Sequence, residues 1–197
     1  MTTVNGTKTP SAAFYPVDTF SDAQASGFGT AWEIQTDQSM GGRSQGTFHI
    51  HPEAEAPHLT LKGEVSLENT ERPEDGGFIQ VTLPLVRSRQ LYDAQKYTGV
   101  RIVCDCAQEA PIKGQHYALR LSTRELSMPW QYYEHAFQPT QSRQCFDLAF
   151  QDFRVVNTSH PLNPAYLMSL SITARNDTFA PHLNIYEVGF YANTQTL

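Results

Sequence analysis

Gly42-Arg43-Ser44-Gln45-Gly46 has the G-x-S-x-G spacing of a hydrolase nucleophile elbow, in which a serine is held on a strained strand-to-helix turn. The next five residues, Thr47-Phe48-His49-Ile50-His51, alternate at period two and carry β-branched and aromatic side chains, so no helix receives the elbow. The segment reads instead as a glycine hairpin in which Ser44 and Asp37 hydrogen-bond local backbone. His49 and His51 share one strand face at a spacing able to chelate a metal. The seven histidines include no H-x-x-x-H helix pair, however, and none lies beside a cysteine. Cys104, Cys106 and Cys145 are an odd number without metal-finger spacing. On a strand, Cys104 and Cys106 point the same way as Val100 and Ile102, as small buried hydrophobes. The sequence assigns no catalytic residue, no metal and no cofactor.

The elements that position these residues follow from composition and period. The chain has 197 residues, 11% aromatic, with 12 Gly and 12 Pro and no long Ala- or Leu-rich tract, which favours many short strands in one sandwich. A net charge of −6 argues against a nucleic-acid partner. No apolar run approaches the eighteen or so residues of a membrane span. The opening twenty residues carry Lys8 as their only basic side chain and no apolar h-region, which leads us to expect a cytoplasmic protein. Residues 1–13 are expected to be disordered, and 14–197 to form a single domain.

Alternation places strands at Trp32–Gln35, Gly46–His51, Leu59–Leu67, Phe78–Leu83, Gly99–Cys106, Tyr117–Ser122, Trp130–Phe137, Gln144–Phe150, Leu167–Arg175 and His182–Tyr191. Residues 85–97 are the least β-like and could hold one helical turn. In Leu167–Arg175, Met168, Leu170, Ile172 and Ala174 make the core face, and Ser169, Ser171, Thr173 and Arg175 the other. Gly41, Gly42, Gly76 and Gly77 are expected to hold positive φ at forced turns.

Asp37, Met40, Gly41, Gly42 and Ser44, then Gly63 to Glu68 and Asn69, then Gly76-Gly77-Phe78, resemble the signature of the complex I intermediate-associated protein 30 family. The resemblance covers roughly residues 14–191, with an acidic insertion between Asn69 and Gly76. It implies an all-β jelly-roll sandwich of the galactose-binding-domain type. It also implies a non-enzymatic interaction protein or assembly factor, with a protein client such as a respiratory-complex subunit.

The alternative is a carbohydrate- or small-ligand-binding module, because flat rings such as Trp130, Tyr132 and Tyr133 suit the apolar faces of sugars. With the core face of each strand apolar, the opposite faces offer His116, Arg120 and Ser122; Tyr133 and His135; and Ser169, Ser171, Thr173 and Arg175. If those strands are neighbours, His116, Arg120, Tyr133, His135, Thr173 and Arg175 converge on one concave binding patch.

Overall fold

The computed structural model describes residues 12–68, 77–87, 90–107 and 116–193. The chain adopts the expected all-β jelly-roll sandwich of two six-stranded sheets. The first sheet holds β1 (Ala13–Asp18), β3 (Gln45–His51), β4 (His58–Glu64), β6 (Gly99–Cys106), β9 (Gln144–Ala149) and β12 (His182–Ala192). Its order is β3-β4-β12-β6-β9, with β1 also on β12. The second holds β2 (Glu33–Thr36), β5 (Phe78–Pro84), β7 (Tyr117–Thr123), β8 (Tyr132–Phe137), β10 (Arg154–Val156) and β11 (Leu167–Arg175), in the order β10-β8-β7-β11-β5-β2. All pairs are antiparallel.

Each sheet turns one face inward because alternate residues on its strands are apolar. Leu59, Leu61, Val100, Ile102, Cys104, Ile185 and Val188 of the first sheet meet Ile79, Val81, Leu83, Leu119, Leu121, Leu170 and Ile172 of the second in one buried cluster. A fully buried Leu or Ile is worth about 1.5–3 kcal/mol, so this layer dominates stability. Cys104 and Cys106 belong to it, and burial pushes the Cys104 thiol up. Cys145, on β9, is exposed.

Three sequence expectations are corrected. Among the described residues of 85–97 no helix forms; Tyr92 instead bridges to Leu167. A register shift between Leu167 and Ser169 sends Leu167 into the core and leaves Met168 39% exposed, although Leu170, Ile172 and Ala174 are buried as expected. Of Gly41, Gly42 and Gly77, only Gly41 has positive φ, at 84°, where it caps the 3-10 turn Asp37–Met40. Gly42 and Gly77 are glycine for want of room: a Cβ would strike the Asp37 carboxylate at one and the Ser66 carbonyl oxygen at the other. Asn69 and Gly76 lie outside the described residues.

Candidate functional site

The register of the second sheet lines up Arg154, Glu134, Arg120, Ser171, Thr82 and Glu33 in one row across all six strands. Partners across a ladder share a face, so this row fixes which face is polar. A second row runs Ala136, Ala118, Thr173, Gln80, Gln35. Beyond it Arg175 pairs with Phe78. On the other flank Ser122 pairs with Ser169, and Tyr132 with Val156. Arg175 reaches from its end of β11 to Glu134 on β8.

Glu134 is the centre, 4% exposed. Its Oε1 accepts from Arg175 Nη2 at 2.6 Å and Arg154 Nη2 at 2.9 Å, and its Oε2 from Arg120 Nε at 3.0 Å. Burial works against a charged carboxylate, but Arg120, Arg175 and Arg154 outweigh it and hold the Glu134 carboxyl below its ordinary range. Arg120 lies 4.0 Å from the Tyr132 ring centroid and donates to the Tyr132 hydroxyl at 3.2 Å. Gln80 ties the next strands in: its Oε1 accepts from Thr173 at 3.3 Å, and its Nε2 donates to Gln35 at 2.8 Å. Thr82 and Ser171 share a 2.8 Å hydroxyl bond, and Ser122 and Ser169 one of 2.6 Å.

Beside this network opens a cleft of about 470 Å³ lined by Glu134, His135, Ala136, Asp152, Arg154, Arg175 and Asn176. Two arginines, Arg154 and Arg175, and two carboxylates, Glu134 and Asp152, line this cleft, and Arg120 holds Glu134 from beside it. Arg175 is only 9% exposed, and its Nε has no hydrogen-bond partner among the described residues. Burial, with Arg120 and Arg154 as like charges nearby, lowers the Arg175 pKa despite Glu134.

β7, β8 and β11 are neighbours, and Arg120, Thr173 and Arg175 share the polar face. Tyr133 does not: it is fully buried on the core face opposite Leu121, its hydroxyl donating to the Pro161 carbonyl at 3.3 Å. His135 also lies in the core phase, against Phe153, although its ring borders the cleft. His116 is buried against Phe179. A one-residue error of phase on β8 exchanges every side chain between faces. The true polar pair there is Tyr132 and Glu134. Sequence reasoning misses Glu134, Arg154 and Gln80. For Glu134 the available signal is the same alternation, read one residue later on β8.

At the end of this sheet where β7 stops and β8 starts, five apolar side chains face water: Met128, Trp130, Val155, Tyr166 and Met168. Backbone contacts tie three of these segments to their neighbours. Arg124 N–H donates to the Tyr166 carbonyl at 3.1 Å, Asn157 Nδ2 donates to the Trp130 carbonyl at 3.1 Å, and Val155 pairs with Tyr133.

The other chemical candidates resolve differently. Ser44 is fully buried: its N–H and hydroxyl each donate to Asp37 at 2.9 Å, and its Oγ accepts from Ser66 N–H at 3.1 Å. Asp37 is thus met by Ser44 itself and not only by local backbone, and β3 follows where an elbow needs a helix. Of the remaining motif residues, Met40 closes the 3-10 turn, while Glu68 accepts from Arg43 at 2.9 Å as an exposed surface pair. The His49 and His51 rings stand 6.5 Å apart, and His51 stacks on His58 at 4.7 Å. Burial, followed by the neighbouring His58, His49 and Lys62, lowers the His51 pKa. Among the described residues no group of three or more His, Cys, Asp or Glu is set to hold a metal.

A family model described as Complex I intermediate-associated protein 30 matches residues 19–180. No curated protein matches the chain. Among solved structures it is similar to the family 11 carbohydrate-binding module of the cellulosomal cellulase Lic26A-Cel5E of Clostridium thermocellum. That match has TM-score 0.68 at 9% identity and covers 95% of this chain and 98% of that one. The Clostridium thermocellum family 11 module in complex with a β-1,3-1,4-mixed-linked tetrasaccharide matches with TM-score 0.63 at 9% identity, over 84% and 91% of the two chains. The family 30 module of the cellulosomal cellulase Cel9D-Cel44B of the same organism matches with TM-score 0.52 at 12% identity, over 79% and 93%.

Proposed function

Since the chain belongs to the Complex I intermediate-associated protein 30 family, we propose that it is a non-enzymatic interaction protein whose client is a protein, an intermediate of a respiratory complex as the family's description indicates. The observation that carries this reading is the group of exposed apolar side chains at one end of the second sheet. Met128 and Trp130 are each 46% exposed, and Tyr166, Met168 and Val155 lie on the adjoining strands and turns. Exposed aromatic and methionine side chains are the composition of a protein-docking surface. The test is affinity capture of the tagged chain from its native host, beside a Trp130→Asp variant that folds normally. The expected result is recovery of a respiratory-complex subunit with the parent chain and its loss with the variant. Failure to recover any such subunit, or equal recovery with both chains, sinks the reading.

A second reading, a carbohydrate-binding module, is favoured by a different observation. The polar face of the second sheet carries the partly exposed Gln80 and Thr82 and the exposed Gln35, with Tyr132 farther across on β8, in the sandwich that carbohydrate-binding modules also adopt. Titration with neutral and acidic oligosaccharides tests it.

A further inference from the structure

We infer that the cleft beside Glu134 recognises a carboxylate-bearing sugar, so that the ligand of the polar face is a uronate-containing oligosaccharide and not a neutral glucan. This rests on the carbohydrate reading and narrows it.

The reason lies in charge and in what is already occupied. Arg120, Arg154 and Arg175 converge on one carboxylate, Glu134, and among the described residues Asp152 is the single further acid lining the cleft. A guanidinium presents five N–H donors in a rigid fork suited to carboxylates; Arg120 commits its three nitrogens to Glu134, Gln80 and Tyr132, whereas Arg154 and Arg175 each give Glu134 a single Nη2. Arg175, nine-tenths buried, lines the cleft, and its Nε, itself shielded from solvent, goes unpartnered among the described residues, so Glu134 does not saturate this guanidinium. Arg154 reaches the same Glu134 oxygen from a side chain 70% exposed, so it is free to swing a donor toward an incoming anion. A second carboxylate entering the cleft would therefore meet charge-assisted donors without displacing Glu134.

The rest of the face selects the carrier of that carboxylate. β7, β8, β11 and β5 are internal strands paired on both sides, so their backbone groups are consumed by the ladders. A peptide could not add to this face as a further strand. The face offers instead the partly exposed side chains of Gln80, Thr82 and Ser122 and the exposed Gln35, in rows beside the arginines, while Ser171 and Thr173 are buried beneath. Hydroxyl-rich rings bearing a carboxylate match both halves of the surface.

Calorimetric titration with trigalacturonate and with the neutral β-1,3-1,4-mixed-linked tetrasaccharide, at low and high salt, tests this on the intact chain and on Arg154→Ala and Arg154→Lys. Arg154 is exposed, so both variants should fold, and their melting curves verify it. The expected result is salt-sensitive binding of trigalacturonate, weakened roughly tenfold in Arg154→Ala and less in Arg154→Lys. Tighter or equal binding of the neutral tetrasaccharide overturns the inference and leaves the carbohydrate reading standing. Binding of trigalacturonate that Arg154→Ala does not weaken also overturns it. Absence of binding to either sugar removes both.

Discussion

Asp37 and Glu134 are both withdrawn from water, and the chain meets them in opposite ways. Asp37 sits in a closed knot, where the Ser44 N–H and hydroxyl satisfy its two oxygens and Gly42 packs so close that no side chain fits. The donors are neutral and belong to the turn just after it. Glu134 is met by three cations from three other strands and borders an open cleft. The contrast separates two uses of a buried carboxylate. One fixes a turn and leaves nothing over for a ligand; the other gathers charge that its own partner does not exhaust.

The largest effect expected is that of Glu134→Ala. It leaves Arg120 and Arg175 buried without their counter-ion, and removing one member of such a group costs about 3–5 kcal/mol. Urea unfolding should show this, and a loss below that of Asp37→Ala would break the contrast. Asp37→Ala orphans the Ser44 backbone N–H, at about 1–3 kcal/mol for a buried group left unsatisfied, while the Ser44 hydroxyl keeps the Ser66 carbonyl at 3.4 Å. Gly41→Val forces a β-branched residue to φ 84° and should cost on the order of 1–3 kcal/mol, read from the same curves.

Acid sharpens the comparison further. Because the guanidiniums hold the folded Glu134 carboxyl below the ordinary 4.5, the unfolded chain takes up this proton first as pH falls. The stability it contributes is complete above the unfolded value and is lost as pH drops through the folded one. Unfolding free energy measured from neutral pH downward should therefore decline below about pH 4.5 in the parent chain, and less steeply in Glu134→Gln. The smallest effect is that of Arg154→Ala, whose largely exposed side chain should change stability by less than about 1 kcal/mol. A larger loss would mean that Arg154 is part of the structural knot and not a free donor.

How far the fold is legible depends on where the information lies. Leu167–Arg175 and Gly99–Cys106 are found at their observed limits, because long two-faced periods repeat often enough to fix both ends. β8 is not, in phase: Tyr132-Tyr133-Glu134-His135 offers an aromatic and a polar residue to either face, and only its pairing with Leu121 and Arg120 decides between them. β10 escapes notice because three residues carry no period. The bulge that expels Met168 is a local event invisible to alternation. The Glu134 network joins residues on β7, β8, β10 and β11, a convergence that no spacing along the chain encodes.

β12 carries a consequence of a different kind. This strand of 11 residues pairs with β1, β4 and β6, so four of the six strands of the first sheet meet through it. It is also made after all of them. During synthesis β3 and β4 can form their hairpin early, and β6 can take β9, but these pieces have no common neighbour until residues 182–192 emerge. Until then, strand edges destined for β12 stand open, in the condition where nascent chains are most exposed to mispairing. Closure of the first sheet is therefore a late event on the ribosome, set by the arrival of one strand and not by the gradual growth of the sheet.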